Sequence, residues 1–135
     1  MLPEGAAIRH FFVTTRAGLD AMEPLTDPTG PKGCPVTECL KVIGGKWKPV
    51  ILYSVGHGAT RFGILRRVIP GISKQVLTRQ LRELEADGLI ARKVIPGNVA
   101  HVEYSITPLG HSLDPVVEAM KDWGRARRES RAEQV

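Results

Sequence analysis

One stretch decides the fold of this chain: Ile69-Pro-Gly-Ile-Ser-Lys-Gln-Val-Leu-Thr-Arg-Gln-Leu-Arg-Glu-Leu-Glu-Ala-Asp-Gly-Leu-Ile90. It predicts a turn, then a helix, then the start of a strand. Ser73 is a suitable N-cap because its hydroxyl can accept a hydrogen bond from a first-turn amide. Gly88 suits the left-handed position that ends a helix. Three leucines recur at i, i+4 and i+7 and give the helix one apolar side: Leu77, Leu81 and Leu84.

The other side of this helix carries hydrogen-bond donors and positive charge. Its members repeat with the same helical period: Gln75, Thr78, Arg79 and Arg82. A helix held from behind by leucines and showing such side chains fits the major groove of DNA. An ordinary amphipathic helix with a solvated outer face would show the same pattern, so the flanking segments decide between the two interpretations.

The segment before this helix predicts a second, shorter helix. Thr60 can cap it, and Phe62, Leu65 and Ile69 give it an inward side. The link to the next helix is short, and Pro70 cannot continue a helix. A short helix, a tight turn with glycine and a second helix form the helix-turn-helix arrangement.

The segment after the helix predicts a β-hairpin. Leu89–Ile95 and Val102–Thr107 read as strands, and residues 96–101 between them begin with turn residues. The second run alternates cleanly, with Val102, Tyr104 and Ile106 on one side. A hairpin that directly follows a recognition helix is a wing.

These segments resemble the HxlR-type family of winged helix-turn-helix transcriptional regulators, which are MarR-like. The resemblance runs in order over roughly residues 34 to 124. The residues that carry it are Gly44-Gly-Lys-Trp47, Ile51-Leu52, Arg61-Phe62, Leu65, Ile69-Pro-Gly-Ile-Ser73, Leu77-Thr78, Gln80-Leu-Arg-Glu-Leu-Glu-Ala-Asp-Gly-Leu-Ile90 and Val102-Glu-Tyr-Ser-Ile-Thr-Pro-Leu-Gly110.

The resemblance implies a mainly α fold with a small β-hairpin wing, and a winged helix-turn-helix domain over residues 34–124. In the family the first and last helices pair across a two-fold axis, which carries over here to residues 34–43 and 108–124. The implied partners are a second copy of the chain and double-stranded operator DNA. The implied function is sequence-specific DNA binding by a transcriptional regulator, expected to be a repressor. A two-fold dimer would bind a short inverted repeat.

The expected DNA contacts lie on the second helix and around it. Gln75 and Thr78 are expected at base edges, and Arg79 at a guanine or a phosphate. Phosphate contacts add affinity without sequence information. The remaining expected contacts are Arg61, Ser73, Lys74, Arg82, Lys93 and His101.

The wing departs from the family pattern. The family commonly has Pro-Pro-Arg where this chain has Val99-Ala-His101. Arginine is the usual reader of the minor groove. Histidine is shorter and changes charge near neutral pH, so we expect a weaker and pH-dependent wing contact.

The first helix of the domain begins at a cysteine. Pro35 suits the first helical position, which places Cys34 at the N-cap, where free amides and the helix dipole favour a thiolate. Many HxlR-type regulators start with the same Cys-Pro-Val, and some sense oxidants or electrophiles with this cysteine. A cysteine kept for packing is the alternative. Cys39 is expected in the core. Because it lies five residues on and far around the helix, a Cys34–Cys39 bridge would require unwinding, and the better oxidised candidate is a bridge from Cys34 to the partner subunit.

Two further helices complete the domain. The first, Lys46–Gly56, is expected to bury Trp47, Val50, Ile51 and Val55. The last opens with Thr107-Pro108, and its apolar side exceeds what a small domain needs. Three further expectations concern the ends of these segments: an inward face at Val36, Leu40 and Ile43 in the first helix, a kink at Pro115 with Asp114 re-capping the helix, and a fraying charged tail over residues 125–135.

Residues 1–33 read as a mobile arm rich in proline and glycine, and Met22 is a candidate for the true start. The chain has a net charge of +5, but this arm holds three basic and four acidic residues. The positive excess therefore belongs to the remaining chain, which suits a polyanionic partner. No apolar run is long enough to span a bilayer and no convincing signal peptide is present, so we expect a cytoplasmic protein.

Nothing in the sequence points to an enzyme. The four histidines are scattered, without metal-ligand spacing or a nucleophile–base pairing, and we expect neither a metal nor a cofactor. The competing interpretation is a winged helix that binds proteins, which would show apolar or acidic residues along the stripe from 75 to 82. Both an oxidant and a small-molecule effector remain open as the signal.

Overall fold

A computed structural model describes residues 34–133. The predictions of a mobile arm and of a start at Met22 lie outside these residues. The elements follow in the order α1 Pro35–Ile43, α2 Lys48–Gly56, α3 Phe62–Val68, α4 Lys74–Ala86, β1 Ile90–Ile95, β2 His101–Ile106, α5 Pro108–His111 and α6 Asp114–Glu133.

The hydrophobic core lies behind α4. Leu77, Leu81 and Leu84 are buried, which confirms the predicted apolar side. Burying each such side chain contributes about 1.5–3 kcal/mol relative to leaving it in water. The same cluster contains Ile43, Ile51, Leu52, Val55, Ala59, Leu65, Ile69, Ile72, Leu89 and Ile90.

Both predicted ends of α4 are confirmed. The Ser73 hydroxyl accepts a hydrogen bond from the Val76 amide at 3.1 Å. At the other end Gly88 has φ of 77°. The Gly88 amide donates to the Glu85 carbonyl and the Leu89 amide to the Leu84 carbonyl, both at 3.0 Å. These two bonds form a Schellman motif, which a left-handed glycine allows without strain.

The wing is a two-stranded antiparallel hairpin in which Arg92 lies opposite Tyr104 and Lys93 opposite Glu103. Tyr104 and Ile106 pack against the core, as the alternation predicted. His101 is the first residue of β2 rather than the last residue of the loop. The Tyr104 amide donates to the Thr60 carbonyl at 2.8 Å, so β2 is fixed to the segment before α3.

Two predictions for α2 and α3 were wrong, the cap at Thr60 and the burial of Val50, while Trp47 packs against the core as predicted but precedes α2. Arg61, not Thr60, is at the N-cap of α3, and no side chain caps that helix. Trp47 precedes α2 as its N-cap and is half-buried against the core. Val50 is exposed. Because α2 buries Lys48 together with Ile51, Leu52 and Val55, its inward side is rotated relative to the predicted one.

The first and last helices also differ from the predictions. On α1 only Ile43 is buried, while Val36 and Leu40 are exposed. The expected kink near Pro115 is a full break, because α5 ends at His111 and α6 begins at Asp114.

The charged tail is helical as far as the structure describes it, because α6 continues to Glu133. Its alanines, arginines and glutamates are good helix formers. Arg131 in the last turn also interacts favourably with the helix dipole.

Candidate nucleic-acid interface

The outer face of α4 presents a polar and positively charged surface. Gln75, Arg79 and Arg82 are exposed, and Thr78 is half-buried. These side chains line one shallow hollow on α4. The hollow is lined by Lys74, Gln75, Thr78, Arg79, Arg82, Glu83 and Ala86. The predicted stripe is therefore a continuous surface, backed by the buried leucines.

Thr78 differs from its neighbours because its hydroxyl is already engaged. It donates to the Lys74 carbonyl at 2.8 Å, one turn earlier in the helix. The hydroxyl proton is thus satisfied within α4, while the oxygen lone pair and the methyl group remain for a ligand. A threonine methyl group suits contact with the methyl group of thymine.

Arg92 extends this surface onto the wing, and the sequence analysis missed it. It lines a second groove between α4 and the hairpin, together with Lys74, Arg82 and Glu85. Its register partner Tyr104 lines the same groove. The signal was present in the alternation of β1, because Ile90, Arg92 and Val94 must share one side of the strand.

Lys93 and His101 are on the opposite side of the hairpin from Arg92. Lys93 lies opposite Glu103 in the strand register. The His101 Nε2 lies 2.9 Å from the Glu103 Oε2. The His101 Nδ1 also lies 3.3 Å from the Val99 carbonyl oxygen. The structure therefore groups these two predicted contacts around a carboxylate rather than with the α4 stripe.

The end of the hairpin is apolar. Val94 and Val99 are 56% and 78% exposed. Residues 94–100 contain no charged side chain that could contact a phosphate. The expectation of a weak wing contact thus gains a second reason besides the missing arginine.

A buried lysine supports α4 from behind, and sequence reasoning did not find it. The Lys48 side chain is 11% exposed, and its Nζ lies 2.7 Å from the Glu83 Oε1, whose side chain is 45% exposed. The hydrogen bond from Lys48 and its positive charge lower the pKa of Glu83, and Arg79 adds a smaller contribution in the same direction. No local sequence signal could have paired residues so far apart in the chain.

The remaining predicted contacts surround the start of α4. Ser73 and Lys74 are exposed there, where first-turn amides and the helix dipole favour a phosphate. Arg61 is exposed at the start of α3.

Cys34 immediately precedes α1. Its carbonyl oxygen accepts a hydrogen bond from the Glu38 amide at 2.8 Å, which is the first bond of the helix. Cys39 is half-buried and packs against the hydrophobic core, as predicted.

No helix within residues 34–133 is long and apolar enough to cross a membrane. The same residues contain no group of three or more His, Cys, Asp or Glu side chains that could hold a metal ion.

An HxlR-like helix-turn-helix family model matches residues 42–132. The chain belongs to this family. It is 48% identical over 98 residues to the HTH-type transcriptional regulator YybR of Bacillus subtilis. The alignment covers 73% of this chain and 78% of YybR. The family and its relatives are transcriptional regulators rather than enzymes, so this chain is a DNA-binding transcriptional regulator.

Solved structures support the winged helix-turn-helix fold. The redox regulator HypR in its oxidised form superposes with a TM-score of 0.66 at 48% identity, covering 69% of this chain and 96% of HypR. Its reduced form gives 0.67 at 45% identity, with 73% and 98% covered. A MarR-family regulator from Porphyromonas gingivalis gives 0.68 at 34% identity, with 76% and 97% covered.

Proposed function

We propose that this HxlR-family protein is a cytoplasmic repressor that binds an inverted repeat as a homodimer and is switched by oxidation of Cys34. The observation that carries the DNA-binding part is the continuous basic surface formed by α4 and the Arg92 groove. A winged helix that binds only proteins would be expected to show apolar or acidic side chains there.

Side chains in the middle of α4 recognise the base sequence of the operator in this proposal. Gln75 contacts a base edge and Thr78 offers its methyl group, because its hydroxyl proton is held by the helix. Arg79 contacts a guanine or a phosphate. Phosphates fix the orientation of the domain. The phosphate contacts are Arg61, Ser73, Lys74, Arg82 and Arg92, with weaker wing contacts from Lys93 and His101.

The homodimer is supported by apolar side chains that α1, α5 and α6 leave in solvent. Leu40, Leu109, Met120 and Trp123 are all between 42% and 62% exposed. Exposed apolar side chains that form a continuous patch mark an interaction surface, and we propose that these four side chains form one. A second copy covering them would place two recognition helices on successive turns of the same DNA face.

The redox switch is supported by the position of Cys34 and by a relative. The first-turn amides and the dipole of α1 favour the thiolate at this position. HypR, which is 48% identical, is a redox regulator solved in oxidised and reduced forms. Oxidation would join the Cys34 thiols of two subunits in a disulfide, with loss of two protons and transfer of two electrons to the oxidant.

The test is binding of the full chain to a labelled fragment of its own upstream DNA, first with reductant and then with diamide. Wild type and Cys34→Ser are compared, and Cys39→Ser serves as a matched control. We expect reduced protein to bind the fragment more tightly than random DNA. Diamide should abolish binding by wild type and Cys39→Ser but not by Cys34→Ser.

The outcomes separate the parts of the proposal. Equal binding to upstream and random DNA would favour the protein-interaction alternative. Specific binding that diamide does not change would overturn only the redox switch. Sedimentation of the reduced protein as a monomer at micromolar concentration would overturn the homodimer.

A further inference from the structure

The outer face of α4 includes a carboxylate close to Arg79 and Arg82. Glu83 lines the same hollow as Gln75, Arg79 and Arg82, and it is the only acidic residue in that lining. Residues 79 and 83 are one helical turn apart, a spacing at which arginine and glutamate form ion pairs. An unpaired Glu83 would therefore compete with DNA for Arg79 and repel nearby phosphates.

In the structure this carboxylate forms an ion pair with a lysine of another helix. Lys48 at the start of α2 reaches Glu83 with a 2.7 Å contact. Within residues 34–133, Arg79 makes no ion pair of its own. The guanidinium group is thus left available, although a carboxylate lies one turn away.

Lys48 is well suited to this task because it is mostly buried. With 11% of its side chain exposed, it cannot turn toward DNA as a surface lysine would. Its stem packs with the inward side of α2, which also buries Ile51, Leu52 and Val55. A buried lysine needs a partner charge, and Glu83 supplies it.

We propose that Lys48 is a positioning residue for DNA binding, holding Glu83 so that this carboxylate is neutralised and is not presented unpaired to Arg79 and the DNA phosphates. This inference rests on the proposed contact of α4 with the operator.

The test compares operator affinity for wild type, Lys48→Met, Glu83→Gln and the double variant Lys48→Met/Glu83→Gln. Methionine keeps the length of the buried stem while removing the charge. We expect Lys48→Met to weaken binding roughly threefold to tenfold, because one unpaired carboxylate then faces Arg79 and the phosphates. The double variant should return to within about twofold of wild type, because no unpaired charge remains.

Two matched controls define the effect. Lys46→Met removes the same charge from an exposed lysine two positions away, and it should change affinity by less than about twofold. Glu85→Gln removes a carboxylate that lines the neighbouring groove and makes no ion pair within residues 34–133. It should give the same small gain in the wild-type and Lys48→Met backgrounds, without restoring the latter.

Salt provides a readout that a displaced helix would not show. Screening weakens charge repulsion, so the deficit of Lys48→Met should shrink as ionic strength rises from about 0.05 to 0.3 M. A deficit that persists at all salt concentrations, or that the added Glu83→Gln substitution fails to remove, would overturn the proposal. So would Lys48→Met binding the operator as tightly as Lys46→Met.

Circular dichroism melts establish that each variant is folded at the assay temperature. If Lys48→Met is unfolded there, Lys48→Gln takes its place, since glutamine can still donate a hydrogen bond to Glu83 without a charge. Failure of wild type itself to prefer the operator would overturn the proposed function instead, so the two results remain distinguishable.

Discussion

The recognition helix α4 and the wing are adjacent, yet they differ in how many buried side chains, caps and ion pairs hold them in place. Helix α4 is capped at both ends, backed by three buried leucines and joined to α2 by a buried lysine. The end of the hairpin shows exposed valines, and its histidine is occupied by a carboxylate of the same strand. From this difference we propose that α4 carries the specificity for the operator and that the wing, apart from the phosphate contact of Arg92, contributes little.

The largest contrast should be in stability. Replacing Leu77 with Ala should lower the free energy of unfolding by about 2–5 kcal/mol, because the fully buried side chain leaves a cavity behind α4. Val94→Ala in the wing should cost less than about 1 kcal/mol, since that side chain is mostly exposed. Urea unfolding followed by circular dichroism measures both. Equal losses would mean that the wing is as firmly packed as the helix.

The second contrast concerns DNA affinity. Arg79→Ala should cost on the order of 1–3 kcal/mol on the operator if it contacts a base edge in bidentate fashion. Lys93→Ala in the wing should cost well under half of that, because it faces away from the α4 surface. Fluorescence anisotropy on operator and random DNA measures both variants. Equal losses on the two DNAs would reduce Arg79 to a phosphate contact.

The third contrast is between a capped helix and its uncapped form. Ser73→Ala removes the acceptor of the Val76 amide and should destabilise the domain by about 1 kcal/mol. Ser73→Asp, which keeps an acceptor, should retain most of that stability but weaken DNA binding through its negative charge. A Ser73→Ala variant as stable as wild type would show that the leucines alone hold α4 in place.

The smallest effect should come from the wing histidine. The imidazole of His101 is already held by the Glu103 carboxylate, 2.9 Å from its Nε2, so His101→Ala should weaken operator binding by less than about twofold. Fluorescence anisotropy on the operator compares the variant with wild type. A loss of tenfold or more would show that the wing histidine is a principal DNA contact.

Local rules predicted α4 almost completely from the sequence. Its caps, its leucine side and its polar side each follow from residue spacing, and the structure confirms them at Ser73, Gly88 and Leu81. These features depend on contacts within a few turns of one helix, where spacing alone determines which side chains share a face.

Predictions that needed tertiary contacts were less successful. Spacing did not reveal that α2 turns Lys48 inward and Val50 outward, because the partner that satisfies Lys48 is on α4. Thr60 was a plausible cap, but α3 begins one residue later, with Arg61 at its N-cap. The Thr60 carbonyl accepts the Tyr104 amide of the wing. For Arg92, the strand alternation carried the signal, but only the register of the finished hairpin shows which side adjoins α4.

The junction after the wing joins the end of α4 to the start of α5. The Thr107 hydroxyl donates to the Gly88 carbonyl at 2.5 Å and accepts from the Gly110 amide at 3.0 Å, while the Thr107 amide donates to the Leu89 carbonyl. A Cβ at Gly110 would collide with that same carbonyl group. The exit of the recognition helix and the start of α5 are thus clamped together. In the proposed dimer, a tilt of α5 would therefore move α4 with it and change the distance between the two recognition helices.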